Sequence, residues 1–363
     1  NYPFALNVST SQYAVFDNQL ASGFAPVNYA LSEITWESTK MLDFGIDLGF
    51  LNNSLNLSFD WYKKNTDNML LSMAIPGVMG YSNSPKQNAG SVENIGWDLT
   101  ITYANRTGNV DYKITGVLSD VRNRITDLGG LGPQVSGKHV NMVGEPINSL
   151  YGYIADGYFS SFEEARKHPI SQWGKLQGGD IKYVDSNGNG KMDGDDRQVI
   201  GNVIPRYTFS LDLFASWKGF DLDIFFQGVG KRDTYFDGWA AYPFFGNATA
   251  LDYHFDRWTE SNPNPNARFP RLAITNRTNN EQASTHWLLN GAYLRLKNVS
   301  LSYTFNKDWF RGSGINGLRL FATGNNLLTF DKLPDGMDPE SPENMHNGFP
   351  LVRTYTFGLE IKF

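Results

Sequence analysis

The stretch "LDFGIDLGF" (42–50) alternates strictly between large apolar residues and Asp or Gly. The apolar set is Leu42, Phe44, Ile46, Leu48 and Phe50. Successive side chains of a β-strand point to opposite faces, so this pattern predicts a strand with one apolar and one polar face.

The same alternation recurs along the chain, and it predicts about ten strands in all. They are 4–16, 38–50, 54–68, 90–104, 110–123, 205–217, 219–231, 290–305, 316–329 and 350–363. Most are longer than the five or six residues usual in soluble sheets, and aromatic residues stand near their ends. Long strands of this kind are typical of an antiparallel transmembrane β-barrel, with lipid outside and water inside. A soluble β-sandwich also alternates and is the alternative.

The connections between the predicted strands alternate in length. Short turns are expected at 51–54, 105–109 and 217–219, with a somewhat longer one at 306–315. Long loops are expected at 17–37, 69–89, 124–204, 232–289 and 330–349. Outer-membrane barrels have short periplasmic turns and long extracellular loops. We therefore place the long loops outside the cell.

Composition restricts the classes of function. The chain has no cysteine, which excludes disulfides and thiolate metal sites, and its net charge of −6 argues against nucleic acid as a partner. No run of roughly 18 apolar residues occurs, so no transmembrane helix is expected. The first residues lack the basic start and apolar core of a signal peptide. We expect either a cytosolic chain or a natural N-terminus that lies outside this sequence.

Several blocks of the sequence resemble the SusC/RagA-like TonB-dependent transporters of Bacteroidetes. They are "ITWESTKMLDFGIDLGFLNNSLNLSFDWYKKNTDNMLL" (34–71), "NAGSVENIGWDLTITY" (88–103), "GEPINSLYGYIADGYF" (144–159), "GGDIKYVDSNGNGKMDGDDRQVIGN" (178–202), "FDLDIFFQGVGKRD" (220–233), "YLRLKNVSLSYTF" (293–305) and "LRLFATGNNLLTF" (318–330). The last strand, which closes on Phe363, resembles the recognition signal of bacterial outer-membrane proteins. The resemblance covers nearly the whole chain and corresponds to the C-terminal part of such a transporter, without its plug, TonB box and signal peptide.

The resemblance implies that residues 1–363 form one segment of a larger barrel of about 22 strands. An open sheet of about ten strands would leave two unpaired edges, which hydrocarbon does not tolerate. We therefore expect the first and last strands to pair with residues outside this sequence.

The resemblance also implies a function in the bacterial outer membrane. It is TonB-dependent import of oligosaccharides, or in some cases peptides, with no catalysed reaction. The implied partners are a SusD-like lipoprotein lid, the TonB complex through the N-terminal region, the oligosaccharide and outer-membrane lipid. A passive porin-like or adhesin barrel and a soluble sugar-binding or glycosidase β-protein remain as alternatives. A plug and TonB box upstream would favour active transport, and a need for detergent would exclude the soluble protein.

The stretch "DSNGNGKMDGDD" (185–196) has the spacing of an EF-hand calcium loop, which sets oxygen ligands at six fixed positions around a central Gly. Those positions fall on Asp185, Asn187, Asn189, the Lys191 carbonyl, Asp193 and Asp196, with Gly190 as the glycine. The last ligand is Asp rather than Glu, which leaves the choice between Ca²⁺ and Mg²⁺ open. We predict a Ca²⁺ site in the 124–204 loop, with a metal-free turn as the alternative.

The long loop at 232–258 is rich in Phe, Tyr and Trp. Aromatic rings stack on sugar faces and are common in protein interfaces. We therefore predict ligand or partner contacts at Trp239, Tyr242, Phe244 and Phe245. The alternative is that these rings pack against neighbouring loops.

Overall fold

The computed structural model describes residues 7–26, 34–72, 78, 85–246, 248–275, 278–312, 314–340 and 351–363. The strands are β1 (Val8–Phe16), β2 (Gln19–Pro26), β3 (Ser38–Phe50), β4 (Leu55–Ser72), β5 (Lys86–Thr107), β6 (Val110–Leu128), β7 (Gln134–Ser136), β8 (His139–Asn141), β9 (Ser149–Gly152), β10 (Ala155–Tyr158), β11 (Ile170–Ser171), β12 (Ile181–Tyr183), β13 (Lys191–Met192), β14 (Gln198–Gly201), β15 (Arg206–Trp217), β16 (Phe220–Lys231), β17 (Asp233–Tyr235), β18 (Leu288–Asn290), β19 (Tyr293–Thr304), β20 (Gly317–Phe330) and β21 (Thr354–Lys362). The helices are α1 (Phe162–Lys167) and α2 (Gly238–Ala241), and single 3₁₀ turns cover Gly194–Asp196, Asp252–Phe255, Thr285–Trp287 and Lys307–Phe310.

Nine long strands form one antiparallel sheet in the order β3-β4-β5-β6-β15-β16-β19-β20-β21. Each strand pairs with the next long strand of the sequence, so the sheet is a meander. β3 and β21 are its edges among the described residues. This arrangement agrees with the predicted segment of an antiparallel barrel. No helix among the described residues is long and apolar enough to cross a membrane.

The register gives the sheet one apolar and one polar face. One cross-strand row runs through Ile46, Phe59, Leu99, Leu118 and Phe209. The neighbouring row, on the opposite face, runs through Gly45, Asp60, Asp98, Ser119 and Thr208. Directly paired residues of antiparallel strands point to the same side, so the alternation read along single strands becomes two chemically distinct surfaces.

The two sides of the sheet at which its strands begin and end differ in their connections. At one, which we call the turn edge, the links are short, as at Lys218 and Gly219, whose φ angles of 48° and 89° suit a two-residue hairpin. At the other, which we call the loop edge, β6 leads into residues 129–205 and β16 into residues 232–292. The predicted alternation of short and long connections is therefore present in this sheet.

The start of the chain departs from the prediction. We expected one strand at 4–16 and a long loop at 17–37, but β1 turns directly into β2 at Asp17 and Asn18. Both residues have positive φ (49° and 62°), which Asp and Asn tolerate better than most residues. In the described residues this hairpin is paired only with itself. The first part of the predicted loop is thus a tight turn and a strand, and residues 27–33 of that loop lie outside the described residues.

The largest buried core lies in the two long connections rather than in the sheet. We call residues 129–205 and 232–292 together the loop block. Its core contains Leu150, Tyr153, Tyr158, Ile181, Tyr183, Met192, Tyr235, Phe236, Ala241, Tyr242, Trp258, Ala267, Phe269 and Trp287. Both connections contribute, so each buries its apolar side chains against the other. A separate small cluster of Val92, Ile125 and Leu128 lies where β5 and β6 reach the loop edge.

Ion pairs occur at the loop edge of the sheet. Arg295 of β19, whose side chain is only 3% exposed, contacts Asp338 at 2.9 Å and Glu340 at 3.0 Å. Lys297 contacts the same Glu340 at 2.7 Å. These contacts hold the connection after β20 against the end of the sheet, and removing Arg295 would leave Asp338, whose side chain is 10% exposed, without this cation.

Candidate functional site

In the predicted metal loop, backbone N–H groups donate to the side chain of the first predicted ligand, Asp185. One carboxylate oxygen of Asp185 accepts hydrogen bonds from the backbone N–H of Gly188 at 2.7 Å and Asn189 at 3.2 Å. Its other oxygen accepts from the N–H of Gly190 at 2.8 Å. Gly190 has a φ of 77°, the left-handed conformation that glycine adopts without steric cost. The local backbone therefore wraps around the Asp185 carboxylate.

The last predicted ligand closes the other end of the loop. Asp196 is fully buried, and its carboxylate accepts hydrogen bonds from the N–H of Ser186 at 2.9 Å and of Asp193 at 3.0 Å. The Asp193 side chain accepts from the N–H of Asp195 at 3.0 Å. The two amide side chains behave alike, since Asn187 accepts from Asn189 and Asn189 accepts from Lys191. All five side chains thus turn towards the backbone of the loop itself.

The loop is fixed to the core by Met192, which is 1% exposed. The two-residue strand β13 pairs in parallel with β11, and β12 precedes the loop. A strand before the loop and a 3₁₀ turn at its end therefore take the places of the two helices of an EF-hand.

An ion in this loop would need a mixed set of oxygen ligands. Among the described residues, no group of three or more His, Cys, Asp or Glu side chains is arranged to hold a metal. The loop offers three carboxylates, two amide oxygens and one backbone carbonyl, which suit a hard cation such as Ca²⁺. An oxygen that accepts one hydrogen bond retains a second lone pair. The metal site therefore stays a prediction, with a donor set that fits it.

The four predicted aromatic contact residues separate into different surroundings. Tyr242 is buried, and its ring lies 5.0 Å from that of Trp287 and 5.8 Å from that of Phe245. Trp239 is 50% exposed and lines a cavity of about 430 Å³, which is distinct from the cavity that Tyr242 and Phe245 line. Phe244 lines neither of these cavities. Tyr242 therefore packs among the loops, as in the alternative interpretation, while Trp239 presents an open ring.

Tyr242 and Phe245 line a cavity of about 490 Å³, which we call the loop cavity. Lys138 forms an ion pair with Asp237 there and lies 4.7 Å from the centre of the Tyr235 ring. Sequence reasoning missed both charged residues, because they are 99 positions apart and no local pattern connects them.

Arg197 also lines the loop cavity, and it follows the last predicted metal ligand directly. Its guanidinium donates hydrogen bonds to the carbonyls of Gly137 at 2.6 Å and Tyr151 at 2.9 Å, and lies 4.7 Å from the Tyr151 ring. The peptide bond between Asp196 and Arg197 thus connects the predicted ion loop directly to the wall of the cavity.

Burial changes the acid–base properties of the loop block. It raises the pKa of Tyr153 to about 12 and raises the pKa of Tyr242 further, so both hydroxyls ionise less readily than an exposed tyrosine. Burial also lowers the pKa of His286 to about 4. The ring of His286 lies edge-on to Trp287 at 4.7 Å and to Tyr158 at 5.5 Å. The core therefore holds this histidine in its neutral form.

Comparison with known proteins gives consistent matches over nearly the whole chain. A family model described as "TonB dependent receptor-like, beta-barrel" matches residues 4–327. TonB-dependent receptor P3 of Formosa agariphila is 30% identical over 380 residues, which cover 98% of this chain and 37% of that protein. TonB-dependent receptor SusC of Bacteroides thetaiotaomicron is 26% identical and is covered over 32% of its length.

Among solved structures, the RagAB peptide importer in its open-open state matches with a TM-score of 0.81 and 26% identity. The match covers all of this chain and 38% of that one. The chain thus spans less than two fifths of the length of these relatives.

We predict that the loop block loses stability as the pH falls from about 6.5 towards 4. The folded state lowers the pKa of His286, so the unfolded state binds a proton more readily and acid favours unfolding. Thermal unfolding of the detergent-solubilised full-length protein, followed by tryptophan fluorescence across this range, measures the loss. A His286→Gln variant should show a smaller pH dependence, whereas His139→Gln, on the hairpin outside the core, should retain it. An unchanged pH dependence in His286→Gln would contradict the assignment.

Proposed function

The chain belongs to the TonB dependent receptor-like β-barrel family, and on that premise we propose that it is part of an outer-membrane transporter that imports oligosaccharides with energy from TonB. The observation that carries the proposal is the sheet itself, with one apolar and one polar face and its long connections on one edge. A sheet of this kind suits a wall between lipid and a watery interior.

The family is one of TonB-dependent receptors and transporters rather than enzymes. This agrees with our prediction that the chain catalyses no reaction. It also favours active transport over the passive porin-like or adhesin alternative, because the relatives are named as TonB-dependent receptors.

In the proposed orientation, the apolar face meets lipid, the polar face lines the lumen, the turn edge faces the periplasm and the loop block faces the cell exterior. Aromatic rings at the turn edge support this placement. Phe220 lies 6.5 Å from Trp217 and 4.4 Å from Tyr303, as expected of an aromatic girdle at a membrane interface.

The loop block supports the proposed class of substrate. Its aromatic rings and its paired charged groups suit a neutral polar ligand, and we propose an oligosaccharide. A peptide is the second candidate, because a structure described as a peptide importer matches the whole chain.

Two partners belong to the proposal: the TonB complex, through residues outside this sequence, and a SusD-like lipoprotein that covers the loop block. Exposed apolar side chains on the block support a covering partner. Trp239 is 50% exposed, Phe255 76% and Ile274 77%. Covering such side chains would remove apolar area from water, which favours association.

We also propose that the 185–196 loop binds Ca²⁺ and so stiffens the loop block on the cell exterior. The support is the ligand spacing, the inward-turned oxygens and the anchoring of Met192 in the core. The ion would offset the repulsion among Asp185, Asp193 and Asp196. Mg²⁺ is the alternative, because it also binds oxygen ligands. It requires a stricter coordination geometry than Ca²⁺ does.

Uptake tests the transport proposal. We expect bacteria that carry the full-length protein to accumulate a fluorescent oligosaccharide, and to stop when TonB is deleted. A labelled peptide is the parallel substrate, and preferential peptide uptake would reassign the substrate. Uptake that continues without TonB would point to a passive barrel. Hydrolysis of the oligosaccharide by the purified protein alone would contradict a transport-only role.

The proposed orientation predicts a difference between the two faces of the sheet. It directs towards lipid the side chains of Leu211, Leu213, Leu222 and Ile224. Leu213→Arg should lower the free energy of unfolding by roughly 2–4 kcal/mol near the membrane midplane. Asp212→Arg, on the opposite face of the same strand, is the matched control and should cost less. Urea unfolding of the full-length protein in lipid vesicles measures both. Equal losses would contradict the barrel orientation.

Calcium titration tests the ion loop. The full-length protein should bind Ca²⁺ with a dissociation constant of about 10⁻⁴–10⁻³ M, as extracellular modules do. Asp196→Asn should weaken binding strongly, whereas Asp195→Asn removes a neighbouring carboxylate that is not a predicted ligand. Isothermal titration calorimetry separates them. Absence of binding, or equal loss in both variants, would show that the loop is a metal-free turn.

A further inference from the structure

The loop cavity is assembled from parts of the chain that are distant in sequence. Lys138 comes from the β7–β8 hairpin, Arg197 follows the ion loop, and Asp237 and Phe245 lie beside α2. Residues 281–283 complete the lining. Its volume of about 490 Å³ is within the range of sites that hold small ligands. Since the loop block buries its own core beneath these residues, the cavity has a fixed wall.

The cavity is lined by two cations, Lys138 and Arg197, and by two carboxylates, Asp237 and Glu281. These formal charges balance, which favours a neutral ligand. Lys138 is paired with Asp237, and their side chains are 13% and 23% exposed. Arg197 points its guanidinium at two backbone carbonyls rather than at a carboxylate. The cations are therefore already engaged, and an anionic ligand would have to displace these contacts. A paired carboxylate and ammonium still offer an acceptor and a donor side by side, which matches a pair of neighbouring hydroxyls.

Arg197 supplies a fixed donor. Two hydrogen bonds and the Tyr151 ring hold its guanidinium in place. Both hydrogen bonds are made by Nη2. A guanidinium has five N–H donors, so a guanidinium fixed in the cavity lining can also donate to a ligand oxygen.

The apolar side of the cavity is formed by Phe245 and Tyr242. Phe245 is half-buried, so part of its ring is open to the cavity, and Tyr242 supports it from the core. A pyranose ring has an apolar C–H face and a rim of hydroxyls, and therefore matches an aromatic wall opposite polar groups. A peptide would satisfy the same donors without needing this division into an apolar face and a polar rim.

We propose that the loop cavity is a binding site for one neutral sugar unit of an oligosaccharide, with Phe245 beneath the ring and with Arg197 and the Lys138–Asp237 pair on its hydroxyls. The inference rests on the proposed function and gives it a location in the loop block.

An array of neutral oligosaccharides, probed with the detergent-solubilised full-length protein, tests the ligand class. At least one should bind, and the tightest becomes the probe for calorimetry. Arg197→Ala and Phe245→Ala should each raise its dissociation constant about tenfold, equivalent to about 1.4 kcal/mol. Arg166→Ala, an exposed arginine of the same connection, and Trp239→Ala, in the other cavity, should change it less than about twofold.

Unfolding temperatures of all variants separate lost binding from lost folding, and Phe245→Leu provides a milder change if Phe245→Ala is unstable. The proposal would be overturned if no neutral oligosaccharide on the array bound the protein. Displacement of the probe by short peptides at equal concentration would also overturn it. Unchanged binding in both folded cavity variants would also overturn it. TonB-dependent oligosaccharide uptake that persists at wild-type rates in those variants would leave the transport proposal standing and remove only this site.

Discussion

Backbone hydrogen bonding constrains everything else in this chain. A strand that turns one face to hydrocarbon has no water there to satisfy its N–H and C=O groups, so each strand needs a partner on both sides. The meander meets this need with short links at one edge, since adjacent strands of an antiparallel sheet can be joined by a two-residue turn. Positive-φ residues such as Lys218 and Asn52 are the local cost of those links. Because strands alternate in direction, the remaining sequence is forced to the opposite edge.

The loop block follows from that partition. In a barrel wall the apolar face of the sheet contacts lipid and the polar face contacts water. The sheet therefore offers little apolar surface on which a long connection could pack. The two longest connections instead bury Ile181, Phe269 and Trp287 against each other. Ion pairs such as that of Arg295 with Asp338 then attach neighbouring segments to the end of the sheet. The stiffness needed for a defined cavity thus comes from contacts between loops.

The sequence predicted the features whose cause is local. Alternation needs only neighbouring residues, and nine of the predicted strands are found in the sheet. The conformation of the 185–196 loop is also local, because its side chains hydrogen-bond to its own backbone, while the ion in it stays a prediction. The β1–β2 turn was missed because Asp17 and Asn18 interrupt a weakly alternating stretch without a glycine. Lys138 and Asp237 could not be paired, because their contact depends on how two connections fold together.

The shared core of the loop block has a consequence for how such proteins diversify. Neither 129–205 nor 232–292 contains a complete set of packing partners, since Leu150 and Tyr183 of one connection share a core with Tyr235 and Trp287 of the other. Recombination that replaced one connection alone would join two mismatched halves. Replacement of both together would transplant an intact packed unit onto an unchanged sheet. The two stretches are therefore expected to be inherited as a unit, although twenty-six residues of barrel, 206–231, separate them in the gene.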